Sequence, residues 1–293
     1  MLVIVAAVLG HAFPSPARAV LDHHGLDACL AALVLVTAMT VPLSGVLGLR
    51  RHPRRLAAAL ASTTVALPAL SWTVSRLVTA ATLRRGVLAL GLAPAEIASV
   101  AVVLLARGDA SVAAVLLVAS TVVTVVGAGV ALRALGGSAH LDAAALLGHL
   151  ALIVGAPMVV GLVLRDRVPA VARAETALAR CSVVLVALLV WMVASQVRLS
   201  GAYYGVAGAL VLFLAGSALV GVALGWHATQ PVAVALLLST SMRDFAIAAG
   251  ITVAAFGAAA SAPLALYGVL VLVWGLLVAA VRASRPPPAR RGA

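Results

Sequence analysis

Two stretches of this chain place chemically capable residues inside runs that are otherwise apolar. Leu92-Ala93-Pro94-Ala95-Glu96 sets a proline and a carboxylate within one such run. Ser239-Thr240-Ser241-Met242-Arg243-Asp244 sets six mostly polar residues between Val232–Leu238 and Phe245–Phe256. A charge held at the centre of a bilayer costs at least about 2.5–3.5 kcal/mol on insertion scales, so it persists where it pairs, lines water or binds something. Arg243 and Asp244 are neighbours in the chain. On a regular helix their side chains would diverge by about 100°, too far to pair well. Unwinding at the break removes that restriction. Three roles follow. Arg243 grips an anionic substrate, because a guanidinium takes a carboxylate bidentately. Asp244 or Glu96 acts as a protonatable coupling group. Ser99, Ser239, Thr240, Ser241 and Thr63 line the cavity with hydroxyls. The plainer alternative is a static Arg243–Asp244 or Arg243–Glu96 pair stapling two helices, with each hydroxyl bonded back to its own helix.

The elements that must position these residues are membrane helices. Of 293 residues 64% are hydrophobic and 10% charged, with a mean hydropathy of +1.20. A soluble domain carries roughly 25% charged residues, and so much apolar surface needs lipid rather than an aqueous core. Short charged or Gly/Pro turns divide the chain into nine or ten spans, near 1–13, 28–48, 56–80, 87–106, 110–134, 142–164, 177–197, 202–225, 231–256 and 263–283. The first is too short to cross alone and reads as a truncated helix. A signal peptide ending at Ala17-Arg18-Ala19 lacks the usual basic residue ahead of its apolar stretch.

The net charge of +12 comes wholly from arginine, as there is no lysine. The arginines punctuate apolar runs and form no aromatic-studded patch, which excludes nucleic-acid binding. Thirteen of the 20 fall on one side of the spans (50–55, 107, 165–180 and the C-terminus), and that side is assigned to the cytoplasm. Arg84-Arg85 run against the rule. The chain therefore reads as a multi-pass inner (plasma) membrane protein in contact with lipid, its C-terminus cytoplasmic.

The remaining candidates read as structural. Cys29 and Cys181 lie far apart without a CxxC or a neighbouring His, so neither a metal nor a cofactor is expected. His149 within span six reads as an interhelical hydrogen bond before a proton relay. His23-His24, beside Asp22 and Asp27, read as an exposed loop. Trp72, Trp191, Trp226 and Trp274 suit interfacial belts or packing.

Interrupted spans at matching places in two halves are the sequence pointer to an inverted-repeat transporter whose site lies at the breaks. At span four a family resemblance appears. Leu92-Ala93-Pro94-Ala95-Glu96-Ile97-Ala98-Ser99, followed by Leu105-Ala106-Arg107-Gly108-Asp109, resembles the bile acid:sodium symporter family. Ala119-Ser120-Thr121, Ala156-Pro157 before Gly161, and 239–244 fall where that family has counterparts. The resemblance implies an all-α protein with two broken helices that cross and a core moving against a panel. It divides the chain into a first repeat, 1–137 (panel helices in 1–55, core helices in 56–137), and a second, 138–284 (panel 138–200, core 201–284), with a disordered basic tail at 285–293. It also implies carriage of organic anions, bile-acid-like or small carboxylate metabolites, usually with sodium.

The sodium ligands do not carry over. The family's Ser-Asn pair falls on Ser99-Val100 here, and the Ser and Thr of the next span on Ala113 and Leu117. The family's Glu on span nine falls on Ser239, its Gln-Asn on Arg243-Asp244, and its Gln on span three on Thr63. Aliphatic groups cannot replace a hydration shell. Sodium coupling in the family's manner is not expected, and uniport, exchange or proton coupling takes its place. The competing readings are an intramembrane enzyme using Glu96, Asp244 and His149, and a receptor or scaffold without turnover. No nucleophile–base motif or HExxH supports the enzyme.

Overall fold

In a computed structural model the described residues are 2–22, 25–41, 53–136, 143–195 and 201–284. His23, His24, Arg50, Arg51 and the tail 285–293 lie outside them. The described residues form helices: α1 (Leu2–Ala12), α2 (Pro14–Asp22), α3 (Gly25–Ala38), α4 (Pro53–Ala61), α5 (Leu67–Ser75), α6 (Ala81–Leu90), α7 (Ser99–Leu105), α8 (Ala110–Gly136), α9 (Ala143–Leu150), α10 (Ala156–Arg167), α11 (Pro169–Arg173), α12 (Glu175–Ala194), α13 (Ala202–Gly225), α14 (Gln230–Ser241), α15 (Phe245–Phe256) and α16 (Ala262–Ala283). Among them the only bridge of strand type joins Ala95 to Arg243.

Among the described residues six helical stretches are long and apolar enough to cross a membrane: Leu56–Ser75, Ala110–Leu132, Ala144–Arg167, Glu175–Ala194, Tyr203–Gly225 and Ala258–Arg282. Two of these are helices widened by a π turn, Ser62–Ala66 between α4 and α5 and Ala151–Gly155 between α9 and α10. Each widening runs into a proline, Pro68 or Pro157. A proline has no N–H for the carbonyl one turn back, so one wide turn absorbs the mismatch and the helix continues. The fourth and ninth spans are interrupted, α6 from α7 and α14 from α15, and α3 is shorter than its sequence pattern suggests, ending at Ala38.

Packing follows the small residues. Helix α3 lies against α10 and α12, and α12 against α1. A Cβ on Gly161 of α10 would sit 2.6 Å from Ala38 and from the Leu35 carbonyl, so glycine lets α3 approach. Around the interrupted helices, α14 packs on α13, α8 and α7, while α16 packs on α6, α7 and α15. At Gly221 a Cβ would meet the Leu237 Cα at 2.8 Å, which sets the closeness of α13 to α14.

Candidate functional site

The interruptions are made differently. Residues 91–98 leave helical geometry behind Gly91, whose absent Cβ makes room for the Ser71 hydroxyl and the Leu67 carbonyl. Pro94 then denies the helix a donor. In the ninth span only Met242, Arg243 and Asp244 are unwound. Asp244 restarts the helix as an N-cap, its carboxylate accepting from the Ile247 N–H at 2.8 Å.

The two breaks meet backbone to backbone. The Glu96 N–H donates to the Met242 carbonyl at 2.8 Å, and the Asp244 N–H to the Pro94 carbonyl at 2.9 Å, flanking the Ala95–Arg243 bridge. Unwound peptide groups in an apolar interior must find partners, and each break supplies them to the other. Neighbouring helices take up the remainder. From α8, Ser120 Oγ accepts the Ala95 N–H at 3.0 Å and Thr124 Oγ1 donates to the Leu92 carbonyl at 2.8 Å. From α16, Tyr267 accepts the Arg243 N–H at 3.3 Å and donates to the Ser241 carbonyl at 3.1 Å. Trp274 Nε1 donates to Ser241 Oγ at 2.9 Å, so this tryptophan braces the site and is not a belt residue.

The charges lie inside this frame. Arg243 is 1% exposed, Asp244 0% and Glu96 3%. Asp244 lies against the amides of Ile97, Ala246 and Ile247, and Glu96 against those of Ile97, Ala98 and Phe245. Each carboxylate thus faces the helix start after its own break and an amide of the other, where a negative charge is favoured. The guanidinium Nη2 of Arg243 donates to the Ala93 carbonyl. It does not pair with either carboxylate: the charge pairs within 4 Å among the described residues are Asp27–His149 and Arg165–Glu175. The static-staple alternative therefore gives way to a guanidinium–carbonyl contact, because the unwound carbonyls of the opposite break lie nearer than any carboxylate oxygen. Arg243 Nε and Nη1, Glu96 Oε2, Asp244 Oδ2, Ser99 Oγ and Ser239 Oγ are buried with no hydrogen-bond partner. Buried polar atoms are ordinarily satisfied, and these six lie together at the two breaks.

The other site candidates divide. Thr240 is buried beside Ser239, and Ser241 carries the Trp274 bond while donating to the Leu237 carbonyl at 2.8 Å. Thr63 lies in the first π turn and returns its hydroxyl to Leu60 at 2.7 Å; no contact joins it to the crossing. His149 Nε2 stands 3.5 Å from Asp27 on α3, an interhelical contact. Sequence reasoning missed Ala93, Thr124 and Tyr267 as site builders. For Ser120 the signal was its place in the Ala119-Ser120-Thr121 segment. A tyrosine deep in an apolar span was the signal for Tyr267.

Leu105–Asp109 proves to be a turn with a structural task. Arg107 takes a left-handed φ of 57°, the Asp109 N–H donates to the Pro231 carbonyl at 2.9 Å, and Asp109 Oδ1 accepts the Ser111 N–H at 3.0 Å. The turn thereby caps α8 and ties it to the entry of α14.

Beside the crossing a small apolar crevice of about 10 Å³, room for roughly one water, lies between α3, α10 and α8, lined by Val34, Val41, Ile97, Leu117, Met158 and Leu162. Ile97 follows Glu96 in the chain, so the crevice abuts the charged centre.

Residues 28–202, more than half of the chain, match the family described as Sodium Bile acid symporter family; the match contains the first break and ends before the second. No curated protein matches the chain.

Proposed function

The chain belongs to the sodium bile acid symporter family, and from that premise we propose that it is a secondary carrier of a small organic anion, working by alternating access around the crossing of its fourth and ninth spans. It is a multi-pass membrane protein of a transporter family. The finer reading gives it nine or ten membrane helices in two inverted repeats, 1–137 and 138–284. The panel is built on α1, α3, α9–α10 and α12, the core on α4–α8 and α13–α16. Two features support it. The interrupted spans lie five apart, and each is braced by the helix that follows it, α8 for the first and α16 for the second. In the proposed orientation the carrier sits in the inner (plasma) membrane with its C-terminus in the cytoplasm.

The observation that carries the proposal is the buried Arg243, two of whose guanidinium nitrogens have no partner. A guanidinium meets a carboxylate in two parallel bonds along an edge that pairs Nη2 with Nε or with Nη1; the Nη2 hydrogen not engaged by Ala93 and the unpartnered nitrogen beside it supply one such edge. The adjoining crevice has the apolar lining that the hydrocarbon part of a bile-acid-like or carboxylate metabolite needs, but with room for about one water it must widen during alternating access to admit one, its charged end then toward the crossing. Ser99, Ser239, Thr240 and Ser241 then line the anion's path, and Thr63 has a place in the site only if its helix rotates in transport. Glu96 or Asp244 exchanges the coupling proton, since both carry an unpartnered oxygen. Sodium has no role in the family's usual manner.

The deciding experiment is anion uptake into proteoliposomes by the Arg243→Ala variant, checked for folding by its elution and melting. Uptake is expected to vanish while the protein remains monodisperse. Undiminished uptake ends the anion-binding role. Product formation by purified protein without compartments would instead favour the enzyme.

A further inference from the structure

The family name implies a dissolved cation, and the residues of the crossing do not fit one. Val100, Ala113 and Leu117 stand where the resemblance places oxygen ligands, and Ala113 and Leu117 are 0% and 2% exposed. Three aliphatic groups offer no lone pair to a cation stripped of water. At the centre the Ala93 carbonyl, freed when the helix unwinds at Pro94, is already taken by Arg243 Nη2. A freed carbonyl pointing into an apolar interior is the kind of group that ligates a small cation. Here a positive charge fixed to the opposite break occupies it.

We infer that the Arg243 guanidinium is a tethered replacement for an alkali cation, so that the crossing draws its positive charge from within the chain and truncating Arg243 opens a cation site. The charges are consistent with this. Arg243 brings one positive charge to a pair of breaks that carries two carboxylates, Glu96 and Asp244, and all three are at least nine-tenths buried. Removing the guanidinium frees the Ala93 carbonyl, and the same two breaks carry the unpartnered Glu96 Oε2, Asp244 Oδ2, Ser99 Oγ and Ser239 Oγ. Those are hard oxygen donors, the set that alkali and other hard cations take. Buried uncompensated carboxylates also attract any cation that can reach them. The inference rests on reading the crossing as the transport site. It assigns the hydrogens of the guanidinium different tasks: one on Nη2 holds the Ala93 carbonyl as a cation would, while those on Nε and Nη1 remain for the anion.

The test is a melting measurement on the purified full chain in sodium chloride and in choline chloride at equal ionic strength. The wild-type protein is expected to melt at the same temperature in both. Arg243→Ala and Arg243→Gln are expected to melt lower in choline and to recover in sodium with a saturable rise on the order of 5 °C at about tenfold the dissociation constant. Arg243→Lys, which keeps a tethered charge, is expected to be indifferent to sodium. Sodium stabilisation of the wild-type protein overturns the inference. So does the absence of recovery in both neutral variants, including their failure to fold in either salt. Uptake separates this claim from the anion-binding role. If sodium restores melting but not uptake in Arg243→Ala, both stand. If melting ignores sodium while uptake is lost, the tethered-cation role falls and the anion-binding role survives.

Discussion

The two breaks solve one problem by opposite means. The first is wide, residues 91–98, and it is a backbone device: glycine and proline open it, and two hydroxyls of α8 receive its peptide groups. The second is narrow, 242–244, and it is a charge device: an arginine and an aspartate stand in the gap, with a tyrosine of α16 bridging the backbone on either side. The wide break offers carbonyls, and the narrow one offers the cation that fills one of them. Neither half is complete alone. The difference shows that two interrupted helices need not be interchangeable for their crossing to form one site.

The largest expected effect comes from breaking the charge device. Arg243→Met removes the guanidinium that holds the Ala93 carbonyl and the positive charge that Asp244 senses, and is expected to destabilise the protein by about 3 kcal/mol, read by denaturant unfolding in detergent. Adding Glu96→Gln to that variant should recover part of the loss. A double variant no more stable than Arg243→Met would show that the guanidinium and Glu96 do not sense each other.

Next come the braces, where the comparison is direct. Ser120→Ala strands the Ala95 N–H of the wide break, and Tyr267→Phe strands the Arg243 N–H and the Ser241 carbonyl of the narrow one. Each is expected to cost about 1–3 kcal/mol, the cost of leaving a buried polar group unsatisfied. The double variant sharpens the point. A coupling energy beyond about 0.5 kcal/mol between these sites would mean that the breaks yield as one unit, and strict additivity that they yield separately.

Asp244→Asn separates cap from charge. Asparagine still accepts the Ile247 N–H, so helicity at α15 and melting should fall by no more than about 1 kcal/mol while uptake falls strongly. Melting that collapses together with uptake would make the carboxylate structural. The smallest effect belongs to Trp274→Phe, at about 1 kcal/mol or less on melting, because Ser241 Oγ keeps its own Leu237 carbonyl as partner.

Much of this was legible in residue order. The apolar runs give the spans, since the bilayer sets helix length, and 202–225 and 263–283 match α13 and α16 to within a residue at each end. The interruptions announce themselves because charged and clustered polar residues are rare at that depth; proline alone does not mark them, since the helices continue through Pro68 and Pro157. Partners were less legible. The sequence argument for Arg243 weighed only charges, and therefore proposed Asp244 or Glu96. An unwound carbonyl is a strong acceptor that every residue carries, so no residue type betrays Ala93. Thr63 shows the converse: a hydroxyl aligned to a functional position instead bonds its own helix at Leu60. Residues Arg50, Arg51 and 285–293, on which the orientation reading leans, fall outside the described structure.

By itself the sequence determined that the chain lives in lipid, where two helices fail and which charges stand in the gaps, because solvent transfer and helix hydrogen bonding are properties of residues in order. Only the tertiary structure decided that the gaps face each other, that an arginine closes on a carbonyl in place of a carboxylate, and that α8 and α16 brace them. Those outcomes depend on which unsatisfied groups packing brings within hydrogen-bonding reach, and that is settled by helices far apart in the chain.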